Sequence, residues 1–361
     1  MAGSPQLTAR DNLPSTPGPA LHDLRSPRAR LLMGLALCVV IASVGQAAGR
    51  WAPLVGAPLF AIAIGVAFTN AFQRKLHLAS LRIGEVAKTC LKGGIVLMGA
   101  SLDLSDIVRV GGESLPVMAV TIVSGLLCVC YLGRRMGVHW RMQALIGVGT
   151  VICGASAIAA LAPVARARAE EIAYSISVIF FFNMVAVFVF PALGHMMSLS
   201  DQGFGLWAGT AVNDTSAVVA SGFAFSQAAG TFATIVKLTR TTLIIPIVLL
   251  FGLLMPLIDP ASSEAAGGSP WRRVAKAVPL FIIAFVIASL FKTVGLVSAN
   301  LAPSIQELGR WILVVALAAV GLQGHWRAFA GAGFRPLLLG FMTWVTVAGA
   351  SLIVQRLTGA L

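Results

Sequence analysis

The chain has 361 residues, 58% of them hydrophobic and 11% charged. Soluble domains carry about 25% charged residues, so the composition excludes a soluble globular protein and predicts an all-α polytopic membrane protein, a class that tolerates the 37 glycines and 17 prolines. A net charge of +13 would suggest nucleic acid in a soluble protein, but here most Lys and Arg stand at the ends of apolar segments, as topology signals and anionic lipid surfaces require, and nucleic-acid binding is excluded.

Residues 1–30 are rich in Pro, Ser and Arg and contain no apolar run. They read as a disordered cytoplasmic tail rather than a cleaved signal peptide, and residues 31–361 as one transmembrane domain. Apolar stretches predict about eleven crossings, at 31–49, 53–72, 84–101, 114–133, 141–163, 170–194, 203–225, 232–257, 273–298, 305–323 and 334–357; short or interrupted stretches leave ten or twelve open. With the N-terminus inside, the inner face receives Arg25, Arg28, Arg30, Arg74, Lys75, Arg82, Arg134, Arg135, Arg141, Arg272, Arg273, Arg327 and Arg335. The outer face receives Arg50, Arg109, Arg166, Arg168 and Arg356, which predicts N-in and C-out. Arg166 and Arg168 run against that bias and suggest that the segment before them is broken or re-entrant. Leu102–Glu113 reads as an acidic outer loop, with Asp103, Asp106 and Glu113 against Arg109. Asp259–Pro270 reads either as a join between two halves or as an ordinary connector. Cys38, Cys90, Cys128, Cys130 and Cys153 all fall in apolar segments without a C-x-x-C pair, so they read as buried hydrophobes.

Two internal echoes are visible. Leu97–Leu102 and Ala319–Gln323 end apolar segments in a similar way, and Gly149-Thr150 with Ser156-Ala157 recurs as Gly209-Thr210 with Ser216-Ala217. Duplicated, inverted units are common in transporters, yet the two echoes have different offsets, and chance similarity among small residues produces such matches too.

Three stretches could carry chemistry. In the first, Gly147–Ala157, glycine, threonine and serine crowd the middle of a membrane segment. Glycine weakens a helix there, and a broken helix would aim a half-helix N-terminus at an anion; close helix packing of the Gly-x-x-x-Gly kind is the competing reading. In the second, Asn213, Asp214, Thr215 and Ser216 follow one another inside an apolar run from Phe204 to Phe225. In a single helix Asp214 would lie ~15 Å deep, near the middle of a ~30 Å hydrocarbon layer, where a carboxylate costs several kcal/mol unless it meets water, a cation or a proton. Lys237 and Arg240, three residues apart, share a helix face and could hold an oxyanion, pair with Asp214, or snorkel to the surface. Pro246 is placed to kink that helix. The third, Phe180-Phe181-Phe182-Asn183, offers a lone amide for interhelical hydrogen bonding or ligand contact. Glu85, Lys88 and Lys92 have spacings that let Glu85 pair with Lys88 and read as interfacial, with no chemistry assigned. No Walker loop, H-E-x-x-H or G-x-S-x-G motif and no metal spacing occurs.

The blocks Cys153–Ala160, Phe190–Gly194, Gly205–Ser216 and Ile235–Arg240 resemble the YeiH-type family of bacterial inner-membrane proteins, whose members are labelled sulfate exporters. Asn213 departs from the pattern, which has histidine there in many members, and Ala155 departs from a common glycine. The chain is also distantly similar to bile-acid-symporter-like transporters, in which two inverted five-helix repeats contain crossing broken helices. The resemblance implies that fold and a multi-pass inner-membrane protein with a cytoplasmic N-terminus.

Taken together, these features predict a secondary transporter, not an enzyme, that moves a small anion such as sulfate or an organic sulfonate, as an exporter coupled to a proton or sodium gradient. Thr150, Cys153, Gly154, Ser156, Asn213, Thr215, Ser216, Lys237 and Arg240 would bind the anion and Asp214 the coupling ion. Membrane lipid and a second copy of the chain in a homodimer are the other expected partners, and no cofactor is implied. A passive anion channel and a scaffold in which Asp214 merely pairs with Lys237 or Arg240 are the alternatives.

Overall fold

A computed structural model describes residues 26–51, 56–72, 81–247, 250–251, 280–298, 300–324 and 333–359. Thirteen bounded α-helices run through them, with further helical residues at 244–247 and 250–251, and no strand occurs among the described residues: α1 Pro27–Trp51, α2 Gly56–Phe72, α3 Ile83–Gly99, α4 Leu104–Arg135, α5 Trp140–Val151, α6 Ala155–Ala165, α7 Ala169–Met196, α8 Asp201–Ala211, α9 Thr215–Phe225, α10 Gln227–Thr242, α11 Leu280–Thr293, α12 Ala302–Gly321 and α13 Phe334–Thr358. Helices α1, α4, α7, α12 and α13 are each long and apolar enough to cross a bilayer, and α2, α6, α9 and α11 are shorter apolar helices. The tail up to residue 25, the Asp259–Pro270 connector and the arginines at 74, 272, 273 and 327 lie outside the described residues.

The apolar faces close two groups of helices on themselves. In one, Cys38 and Ile41 of α1, Ala61 of α2, Val86 of α3 and Val315 of α12 form a buried cluster. In the other, Val148 of α5, Ile158 of α6, Phe182 of α7, Trp207 of α8, Val218 of α9 and Val347 of α13 form a larger one. A third cluster, with Met98 of α3, Val117 of α4, Val236 of α10 and Phe285 of α11, ties the groups together. Helix α8 lies close on α10 because Gly205 and Gly209 leave room: a Cβ on Gly205 would stand 3.1 Å from the Ala229 carbonyl oxygen, and one on Gly209 3.0 Å from that of Ala233. This is the small-residue packing that membrane helices use where no hydrophobic driving force acts between them.

Three local expectations change. The acidic loop at Leu102–Glu113 is instead the start of α4, with Asp103 at its N-cap and Asp106 in its first turn bridging to Arg109 at 2.9 Å; carboxylates at a helix N-terminus offset the positive dipole end, so an acidic stretch extends a helix as readily as it makes a loop. Glu85 pairs with Arg82 at 2.6 Å rather than with Lys88. The chain leaves α10 at Thr242, with a turn at Leu243 ahead of Pro246, so the interruption precedes the proline.

The largest departure from plain crossings lies at 141–163 and 203–225. Each is split in two, α5 from α6 and α8 from α9, by three residues, 152–154 and 212–214. At ~1.5 Å per residue, halves of 12 and 11 residues reach about 18 and 16 Å, each about half a hydrocarbon layer.

Candidate functional site: two broken helices and a cation pair

The breaks follow one design. Thr150 Oγ1 donates to the Ile146 carbonyl at 2.8 Å, and Thr210 Oγ1 to that of Leu206 at 2.6 Å. A hydroxyl returned to the preceding turn in this way loosens the helix at that point. Beyond each threonine the chain leaves helical geometry and restarts at Ala155 and at Thr215. The echo of Gly149–Ala157 in Gly209–Ala217 therefore marks two equivalent structural elements.

Every break leaves carbonyl groups at the end of the first half-helix and N–H groups at the start of the second. The carbonyl ends are satisfied from α10. Lys237 Nζ donates to Ile152 O at 2.9 Å and to Val212 O at 2.8 Å, one ammonium spanning both breaks. Arg240 repeats the arrangement one turn on: Nε donates to Val151 O at 2.6 Å, and Nη1 donates to Thr210 O. Both side chains are fully buried, so neither snorkels. The three-residue spacing on α10 puts both cations on one face, and the negative ends of the α5 and α8 dipoles meet them there.

The two N-terminal ends differ. At α9 the cap is Asp214, whose carboxylate accepts from Ser216 N at 3.0 Å and from Ser216 Oγ at 2.5 Å, while its own N–H donates to Asn183 Oδ1 at 3.0 Å. At α6 the cap is Gly154, with φ 69° and ψ −132° and no side chain to accept anything. The two caps touch: a Cβ on Gly154 would lie 3.3 Å from both Cβ and Oδ1 of Asp214.

Both N-termini open on one cavity of about 470 Å³. Ala155 and Ser156 of α6 and Asp214, Thr215 and Ser216 of α9 form part of its wall. Asn183 of α7 and Gln323, just past α12, add amides, and Lys88 and Lys92 of α3 add two ammonium groups. The remaining wall is apolar, with Ile62, Leu91, Ile95, Phe180, Met184 and Phe281 among it. Helices α2, α3 and α12 contribute to the wall together with α6, α7 and α9, so the cavity lies where helices of the two clusters meet, with α2 and α12 taking part in both. The charged groups on its wall are Lys88, Lys92 and Asp214, a formal charge of +1 with the carboxylate ionised and +2 with it protonated.

Of the residues expected to bind an anion, Ser156, Thr215 and Ser216 line this cavity together with Asp214. Thr150 and Cys153 are buried in the core beside the first break, and Gly154 lies behind the α6 N-terminus. Asn213 is buried, and neither amide atom has a hydrogen-bond partner among the described residues; the same holds for Arg240 Nη2. Lys237 and Arg240 spend their donors on backbone carbonyls and are not on the cavity wall. No ion pair of Asp214 with either of them forms among the described residues, so the scaffold built on such a pair loses its premise. Asn183 makes the interhelical hydrogen bond weighed for it, accepting from the Asp214 N–H at the α9 cap, and lines the cavity.

Sequence reasoning passed over Lys88 and Lys92. The available signal was their four-residue spacing within an apolar helix, which puts both charges on one face; what that face meets depends on the partner helices, which the spacing does not reveal.

The family model described as conserved hypothetical protein 698 matches residues 33–340. The chain is 37% identical over 336 residues to a UPF0324 membrane protein of Clostridium tetani, an alignment covering 91% of this chain and 97% of that one. It is 39% identical over 336 residues to one of Streptococcus mutans, with 91% and 97% covered, and 36% identical over 348 residues to one of Fusobacterium nucleatum, with 91% and 98% covered.

Proposed function

The chain belongs to the UPF0324 family of membrane proteins, and from that premise we propose that it is a secondary transporter of the bacterial inner membrane, N-terminus cytoplasmic, which moves a small organic anion by alternating access and performs no enzymatic chemistry. The observation that carries this reading is the cavity on the seam between two helix groups, faced by two half-helix N-termini and two lysines. Anions are favoured at helix N-termini by free N–H groups and by the dipole, and the uncapped α6 end supplies both. Transporter sites at the meeting of discontinuous helices use this arrangement.

In this reading Lys88, Lys92, Ser156 and the Asn183 amide hold the anionic head. Asp214 carries the coupling proton. Protonating it raises the charge on the cavity wall from +1 to +2, so proton and anion favour each other's binding, and by linkage the effect is reciprocal. A cavity of about 470 Å³ with a largely apolar wall lies in the range of organic-ligand pockets, ~300–1,000 Å³, and suits an organic sulfonate better than bare sulfate.

The test is flux in proteoliposomes across a panel of inorganic and organic anions, with and without a pH gradient. An organic sulfonate should move faster with an inward proton gradient, and Asp214→Asn should lose that acceleration. Wild-type-level coupling in Asp214→Asn would remove the carboxylate from the mechanism, and gradient-independent flux at channel rates would replace the transporter with a channel.

A further inference from the structure

Four backbone carbonyls, from Val151, Ile152, Thr210 and Val212, converge on the tips of two side chains, Lys237 and Arg240. Two half-helix C-termini, each worth roughly half a negative charge, supply this oxygen set. Carbonyl oxygens from unwound backbone at such ends are the ligands with which discontinuous helices hold a coupling sodium ion. Here the position is filled from within the chain. The ammonium of Lys237 lies 2.9 and 2.8 Å from one carbonyl of each break, and the guanidinium of Arg240 takes the other two. Both cations are fully buried, and neither makes an ion pair with a carboxylate among the described residues. Ordinary buried cations contact an acidic partner directly; the hydrogen bonds of these two go to backbone carbonyls, as the ligand contacts of a bound metal ion would.

We propose that Lys237 and Arg240 are tethered cations that permanently occupy the sodium-type site at the crossing of the broken helices, so that the protein binds no coupling sodium ion. The proposal rests on the transport reading and deepens it by saying why sodium is not coupled beside the proton, and its binding arm stands apart from that reading. A mobile ion would come and go with each cycle and make the α5 and α8 ends conditional on the ion gradient. Lys237 and Arg240 instead hold both ends together at all times. Lys237 is thereby a positioning residue: it acts on the cargo site through the two breaks and does not line the cavity.

The test compares the full-length protein in detergent in sodium chloride and in choline chloride at equal ionic strength, with melting followed by tryptophan fluorescence. Wild type should melt at the same temperature in both salts. Lys237→Ala frees the Ile152 and Val212 carbonyls; it should melt lower than wild type in choline and recover several degrees in sodium, because the ion now enters the vacated site. Sodium-dependent stabilisation of wild type overturns the proposal, and so does a folded Lys237→Ala variant indifferent to sodium. If that variant does not fold, Lys237→Gln, a neutral donor of similar length, is read by the same two criteria. In proteoliposomes, wild-type anion flux should be unchanged when sodium is replaced by choline on both sides, and a flux that requires sodium overturns the proposal. Absence of any flux would count against the transport reading alone, since the melting comparison needs no cargo.

Discussion

At the first break the residue that caps the second half-helix is Gly154; at the second, sixty positions on, it is Asp214. Around them the two elements agree closely: a threonine bonded back to the preceding turn, a three-residue interruption, and carbonyl ends held by Lys237 and Arg240. The difference therefore lies in what meets the positive end of each restarting helix. At α9 the chain supplies its own carboxylate. At α6 it supplies nothing, and the N-terminus faces a cavity that also holds Lys88 and Lys92. One backbone design thus yields two electrostatic ends, one capped by a carboxylate, the other facing the cavity without a side-chain cap. The two caps are close neighbours: a Cβ added to Gly154 would lie 3.3 Å from Asp214.

The comparison can be broken most severely where the elements agree. Arg240→Ala removes donors from Val151 O and Thr210 O, and two buried carbonyls left without partners cost about 2–6 kcal/mol together. The expected outcome is loss of a monodisperse folded peak in size-exclusion chromatography, or a melting temperature far below wild type. Arg240→Lys should recover only part of it, because an ammonium lacks the planar fork that reaches both carbonyls.

Making the caps alike tests the difference itself. Gly154→Asp would place a second carboxylate beside Asp214 at a backbone conformation that L-residues rarely adopt, costing about 1–3 kcal/mol in strain alone. Flux should fall to background, with a smaller drop in melting temperature than Arg240→Ala causes. The reverse change, Asp214→Gly, costs only a few tenths of a kcal/mol as a cap, so this variant should fold normally while its flux loses its dependence on pH.

Lys88→Ala and Lys92→Ala act on the open end only. Both side chains are exposed in the cavity, so melting should change by less than about 0.5 kcal/mol. Each should raise the half-saturating anion concentration about tenfold, equivalent to 1.4 kcal/mol. An unchanged half-saturation in the double variant would move the anion site away from α3.

The contrast between the two breaks also separates what could be read early from what could not. Asp214 drew attention because a carboxylate in an apolar run needs a reason, and its place beside Ser216 as a helix cap was within reach of the local pattern. That Lys237 and Arg240 would face carbonyls rather than an anion was not legible, since a basic pair on one helix face suits an oxyanion, a carboxylate or a helix C-terminus equally well. Lys88 and Lys92 read as interfacial from spacing alone, because the cavity they line is made by helices distant in the chain.

Composition and hydrophobic runs alone determined that this is a helical membrane protein and roughly where its segments lie, because burying apolar length in a bilayer is a local property of twenty or so residues. Gly-Thr and Ser-Ala pairs at equivalent places also marked both segments that break. The tertiary structure alone decided which cations hold the carbonyl ends of the breaks and which lysines reach the cavity. Those outcomes depend on how helices far apart in the chain pack against one another, and hydrogen bonds and charges at such junctions act over only a few ångströms.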